Sequence, residues 1–420
     1  MVAAGDQAPD FPLLTHDGPL SPDRRLNLGG PGPRIYFRIR ARRRGSAVPS
    51  PGVPAVMPLR PAMLLPLLSL LVVGCAAGAD SEAPPATSPP SEVFVAPEPG
   101  EVRLRNIRQL TFGGNNAESY FSRDGRQLIF QRQEAVGQGC DQQYLINIDG
   151  SGLRRISNGQ GRTTCGYFHD NDQRVLYSST HAHDPACPAE PDRSRGYVWP
   201  LGHLEIYSVR ASDGGDVRQL TRNGAYNAET TVSPDGSRLI FTSTMDGDID
   251  LYSMNVDGSD LRRITNRIGY DGGAFFSPDG SRIVWRAAYP ETAADTADYQ
   301  ALLADRLVRP ARVEVWVANA DGSEARQVTR LGGANFAPFW HPDGRRILFS
   351  SNWENPRGSM FDLYLVNIDG SGLEKVTQFA DFDSFPMFSP DGTKLVWASN
   401  RNQANPGETN LFIADWVEQP

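Results

Sequence analysis

The chain has 420 residues and a formal net charge of −8. Residues 1–56 carry eight arginines against four acidic residues and Arg60 adds one more positive charge, so the part from Cys75 onward holds 32 basic and 45 acidic residues, net −13. This acidic balance argues against nucleic acid and anionic lipid as partners; only two lysines occur, Lys375 and Lys394, and the preference for arginine carries no site signal.

Residues 1–56 hold prolines, glycines and the basic run RIRARRRG without apolar periodicity. They stand upstream of a complete export signal, and read as an untranslated or disordered extension ahead of a start at Met57 or Met63. From Met57 one arginine precedes an apolar run that ends in Val72-Val73-Gly74-Cys75, too short to span a bilayer with ease and laid out as a secretory signal over 57–75. The residues before Cys75 resemble a bacterial lipobox, which implies lipidation of Cys75; the alternative is an ordinary signal peptide with a chance cysteine. Ala76 and Ala77 follow with no aspartate, so the same resemblance implies an outer-membrane lipoprotein facing the periplasm. Residues 76–101 are rich in proline and serine, as suits a semi-extended tether.

Beyond residue 101 the chain repeats itself. SPDGSRLIF at Ser233–Phe241 combines a turn signal (proline at the second position, aspartate bonding back to its own backbone, glycine accepting positive φ) with a short β-prone run. A second phrase, LYSMNVDGSDLRRIT from Leu251, reads strand, Asp-Gly turn, strand. Copies of the first turn centre on Gly125, near Asp172, and on Gly236, Gly280, Gly344 and Gly392, at steps of 47, 64, 44, 64 and 48 residues. Six units with a period in the mid-forties and two insertions predict an all-β, six-bladed propeller of four-stranded antiparallel blades over 102–417. Val102–Thr111 has the pattern of an outermost strand, and the last unit stops after its third strand at Thr409–Trp416, so the two ends are expected to complete one blade and close the ring.

The units ETTVSPDGSRLIFTST, FAPFWHPDGRRILFSSN and FPMFSPDGTKLVWASN, with DLYSMNVDGSDLRRIT and DLYLVNIDGSGLEKVT, resemble those of the TolB-like β-propellers. That resemblance implies the fold; propellers of this kind serve as scaffolds, ligand binders and gating domains, so the fold alone does not choose a function. The family's type member carries an α/β domain ahead of its propeller, where this sequence shows the 76–101 linker.

Both insertions fall on one face of the disc, where function is expected. In blade four, ETAADTADYQALLADRLVRP places Tyr299, Leu302, Leu303 and Leu307 at helical spacing, and the helix is expected to run until Pro310 stops it. In blade two, HAHDPACPAEPDRSRGYVWPLGH is expected to be an ordered loop without regular structure. Six residues before each turn start stand Asn116, Thr163, Asn227, Asp271, Asn335 and Asp383, all polar; four before, the first three units give Glu118, Cys165 and Glu229. Both columns are expected where the inner strands begin, around the channel mouth, as a ring able to hold a cation, a peptide terminus or a sugar; polar residues at strand starts are the structural alternative.

Cys140, Cys165 and Cys187 fall on the same face, and an oxidising compartment predicts one disulfide among them with one thiol left over. Cys165 or Cys187 with His181 and His183 is the weak alternative of a zinc site, without the paired spacing of a structural module. The Asn-Ile-Asp-Gly phrases are hairpin turns and not calcium loops, because the distal glutamate is absent, and no G-x-S-x-G elbow occurs. The expected function is therefore a non-catalytic, monomeric envelope lipoprotein that binds a protein, peptide or glycan on the loop-rich face, touches the membrane only through its lipid and uses no cofactor. The alternative is an envelope hydrolase or lyase with an acidic or divalent-metal site at the channel mouth.

Overall fold

In the computed structural model, residues 92–189 and 191–419 are described; the expected extension 1–56, the signal 57–75 with Cys75 and most of the 76–101 linker lie outside them. Six antiparallel sheets form the blades, inner strand to outer. The inner strands are Asn115–Phe121, Thr163–His169, Asn227–Val232, Tyr270–Phe276, Asn335–Trp340 and Asp383–Phe388. Each leads through the recurring turn into a second strand that is buried nearly end to end, as in Arg174–Ser179 and Lys394–Ser399, because a neighbouring blade covers each face.

The turn works as its residues predict. In blade three the Ser233 Oγ accepts the Arg238 N–H at 3.0 Å, Asp235 Oδ1 accepts the Ser237 N–H at 3.0 Å, and Gly236 sits at φ 76°. Blade two, whose copy is degenerate, puts Asp172 at φ 65° instead of glycine. Its carboxylate then accepts the backbone N–H groups of Arg123 (2.7 Å) and Asp124 (3.0 Å) in blade one, a latch that glycine could not make.

The ring closes as expected. Leu104–Gln109 pairs antiparallel with Asn410–Trp416 and supplies the fourth strand of blade six, from Leu104 opposite Trp416 to Gln109 opposite Phe412. The sheet then extends further than the sequence suggested: Val93–Phe94 adds a fifth strand outside Leu104–Gln109, so part of the expected linker belongs to the domain. A buried ion triad supports the closure, with Arg401 Nη2 bonded to Glu101 Oε1 at 2.9 Å and to Asp383 Oδ2 at 2.6 Å.

The insertion in blade four forms helix α1, Ala293–Ala304, started by a capping box in which Thr292 Oγ1 accepts the Asp295 N–H and the Asp295 carboxylate accepts the Thr292 N–H. It ends earlier than Pro310, because Arg306 turns into the left-handed region at φ 57° and Leu307–Val308 leaves as a strand. That strand pairs with Trp199–Pro200 of the blade-two insertion, Leu307 opposite Pro200 and Val308 opposite Trp199. The blade-two insertion is thus not free of regular structure: it holds a 3-10 turn at Arg193–Arg195 and half of this ribbon. Its partner lies two blades away in sequence, which local pattern cannot reveal.

Candidate functional site

The column at Asn116, Thr163, Asn227, Asp271, Asn335 and Asp383 is 0% exposed, and of the six only Thr163 borders the chamber on the loop-rich side. Each of the six backbone N–H groups donates to a carbonyl of the preceding blade, respectively Thr409, Asp141, Leu204, Ile249, Val313 and Phe361, at 2.8–3.1 Å. The side chains of Asn116, Thr163, Asn227 and Asn335 donate to the same carbonyls. Aspartate serves here as an acceptor, and in both blades that use it the second strand answers with tryptophan: Trp285 Nε1 donates to Asp271 at 2.7 Å and Trp397 Nε1 to Asp383 at 3.0 Å. These residues stitch blade to blade.

Asp271 pays for this position in its ionisation. Burial pushes its carboxyl up to about 7, against the hydrogen bonds from Tyr289 and Trp285, and its Oδ2 has no partner. The folded state therefore keeps a proton that the unfolded chain loses near pH 4. The associated stability is complete below that point and is lost as pH rises through 7. We expect Asp271→Asn to flatten the fall in unfolding free energy between pH 4.5 and 7.5, which runs at about 1.4 kcal/mol for each pH unit over which only the folded state holds the proton. Urea titration at the two pH values reads the difference.

The second column behaves differently. Glu118, Cys165, Glu229, Gly273, Ala337 and Phe385 all have φ between 49° and 63°, each at a register break in the inner strand of its blade. A bulge at the same place in every blade turns that residue toward the axis, bringing a side chain in five blades and Gly273 in the fourth, and all six residues surround one small void of about 20 Å³ in the channel. On the far side of this waist, Tyr120, Tyr167, Phe275 and Phe339 close the channel, with ring centroids 5.1–6.3 Å apart.

On the loop-rich side lies a chamber of about 160 Å³. Its floor carries Glu118, Cys165, Glu229 and Arg286; Phe336, Phe382, Phe385 and Tyr226 stand in its wall, and Tyr197, Val198, Trp199 and Pro200 of the blade-two insertion also line it. Two ties fix that insertion. The Cys140–Cys187 disulfide fastens it to blade one, and the Leu201 N–H donates to the Arg306 carbonyl at 2.7 Å beside the ribbon.

Arg286, from the second strand of blade four, forms an ion pair with Glu229 and lies over the rings of Trp199 (5.7 Å) and Tyr270 (5.6 Å). The other Glu229 oxygen accepts from Thr242 Oγ1 at 2.8 Å, so that carboxylate is fully engaged. Glu118 is not: its Oε2 is buried without a partner. Burial pushes the Glu118 carboxyl up to about 7, with the charges of Glu229 and Asp141 adding to the rise and the bond from Cys165 and the charge of Arg286 opposing it. The Cys165 thiol is driven well above its ordinary range by burial and then by Glu118 and Glu229, so it serves as a protonated donor.

The weak zinc set is not assembled. Cys187 is oxidised in the disulfide, His181 bonds Ser179 Oγ at 2.8 Å with its ring on Tyr207, and His183 Nε2 faces Glu205 at 3.3 Å. Among the described residues no group of three or more His, Cys, Asp or Glu side chains is placed to hold a metal ion. Arg286 was missed by the sequence reading, although a signal existed: the matching positions in the other blades are Gln131, Ser178, Thr242, Ser350 and Ala398, so it is the one charge in its column.

A curated relative, the Protein TolB homolog of Chlorobium luteolum, is 30% identical over 163 residues, 39% of this chain and 32% of that protein, so the chain matches about a third of the relative's length. Solved structures with a similar fold include TolB from Acinetobacter baumannii, at 17% identity over 73% of this chain and 64% of that one with a TM-score of 0.45. An oligogalacturonate lyase from Vibrio parahaemolyticus is 14% identical over 77% of this chain and 97% of that one, TM-score 0.46. The likeness to both structures is one of fold alone. The family profile described as the TolB beta propeller domain matches residues 198–298 and 304–415, half of the chain. With six blades, the recurring Pro-Asp-Gly turns and a ring closed by its first and last strands, the chain belongs to the TolB β-propeller family.

Proposed function

We propose that this propeller is a non-catalytic binding module of the cell envelope, which takes the end of a protein, peptide or glycan into the chamber on its loop-rich face. The single observation behind this reading is the chamber itself: an aromatic wall over a charged floor, in the shape and mixed polarity that ligand pockets share. The signal-like segment 57–75 and Cys75 support an envelope address and a lipid anchor. A screen of short peptides and oligosaccharides by thermal shift tests the site. We expect a ligand that raises the melting temperature, changes the fluorescence of Trp199 and loses both effects in Ala117→Phe, which fills the chamber from its wall. If no compound moves either signal in the parent protein, the reading fails.

One observation favours a second reading. A carboxyl held near pH 7 in a cavity is suited to general acid or base work, which would make the protein an envelope hydrolase or lyase with Glu118 as its acid or base. Turnover of a screened ligand, abolished by Glu118→Gln with binding retained, would select this reading over the first.

A further inference from the structure

Two orphaned polar atoms of opposite sense stand in the channel waist. Glu118 Oε2 is an acceptor and Arg286 Nε–H a donor, both buried and both without a hydrogen-bond partner. Leaving such groups unpaired costs about 1–3 kcal/mol each, more when charged, and both residues line the same chamber. The rest of the floor is committed: Glu229 is engaged at both oxygens by Arg286 and Thr242, and the remaining Arg286 contacts are to Glu229 and two aromatic faces.

We propose that the chamber recognises the free amino terminus of a peptide with an apolar first residue, the α-ammonium group on Glu118 Oε2 and the first carbonyl oxygen on Arg286 Nε–H. This rests on the binding reading above and names its ligand class. An ammonium group supplies donors and the positive charge that Glu118 lacks. Tyr226, Phe336 and Phe385 line the same chamber, and aromatic rings attract a cation placed over them. A carboxylate end would meet Glu118 and Glu229 instead. The volume sets the length: about 160 Å³ compares with the roughly 150 Å³ that holds benzene, so one side chain enters.

Calorimetric titration of the purified protein with three probes tests this. They are Phe-Gly amide, its Nα-acetyl form, and phenethylamine, which has the ammonium group and ring without the carbonyl. We expect Phe-Gly amide to bind at least tenfold more tightly than either other probe, and Glu118→Gln to remove that advantage over the acetylated form while the variant melts no lower than the parent. Equal binding of the acetylated peptide overturns the ammonium assignment and leaves the chamber a ligand site. Equal binding of phenethylamine overturns the carbonyl contact and makes any primary amine, a lysine side chain included, the ligand. If none of the three binds, the amino-terminus assignment is overturned, while the binding reading stands or falls separately on the screen of peptides and oligosaccharides.

Discussion

Arg401→Leu is expected to lower the unfolding free energy by about 3–5 kcal/mol, the cost of removing one partner from a buried ion pair. Arg401, Glu101 and Asp383 have side chains only 3%, 0% and 0% exposed. The substitution leaves two carboxylates facing one another without a cation, inside a sheet that joins the two ends of the domain. Glu101 also accepts the N–H groups of Glu98 and Gln378, at 2.8 and 3.0 Å, so it cannot turn away without breaking those bonds. Urea unfolding with an unchanged slope would read the loss. A change below about 1 kcal/mol would mean that the triad behaves as a surface pair and does not fasten the closure. Adding Glu101→Gln and Asp383→Asn to Arg401→Leu should recover part of the loss, because neutral amides do not repel.

The second large effect belongs to the disulfide. Cys140 and Cys187 are separated by 47 residues, for which chain entropy gives about 4 kcal/mol of stabilisation. The segment they enclose contains the outer two strands of blade one and the inner two of blade two, so the link restrains the junction of two blades together with the insertion that follows. A Cys140→Ser, Cys187→Ser variant should unfold at lower denaturant than the oxidised parent and match the parent held under reductant. Equal midpoints for variant and oxidised parent would show that the blade packing alone fixes this region.

Much of the fold was open to sequence reasoning because the propeller is written in its turns. The Pro-Asp-Gly spacing sets the number of blades, and the unpaired strand patterns at the two ends set the closure. The polar column was visible as polar but not as buried. A strand start on the inner edge of a blade can face the channel or the neighbouring blade, and a bulge two residues later decides which. A clue was present: where the column holds aspartate, at Asp271 and Asp383, the residue fourteen further on is tryptophan, and elsewhere it is Phe130, Tyr177, Phe241 or Phe349. That pairing marks a buried acceptor with its donor. The adjacent column, with Glu118, Cys165 and Glu229, did reach the channel, because the left-handed bulge residue turns it there. The ribbon between the insertions was not legible, since two-residue strands carry no period and one of them contains Pro200.

That ribbon has a consequence in time. The blade-two insertion, which lines the chamber, is paired to the blade-four insertion beyond blade three, and it cannot move freely while Trp199–Pro200 and Leu307–Val308 stay paired. Displacement of that part of the lining therefore requires the ribbon to open. The same event exposes the Leu201 amide, bonded to Arg306, so the deuterium uptake of that single N–H reports how often the two insertions part.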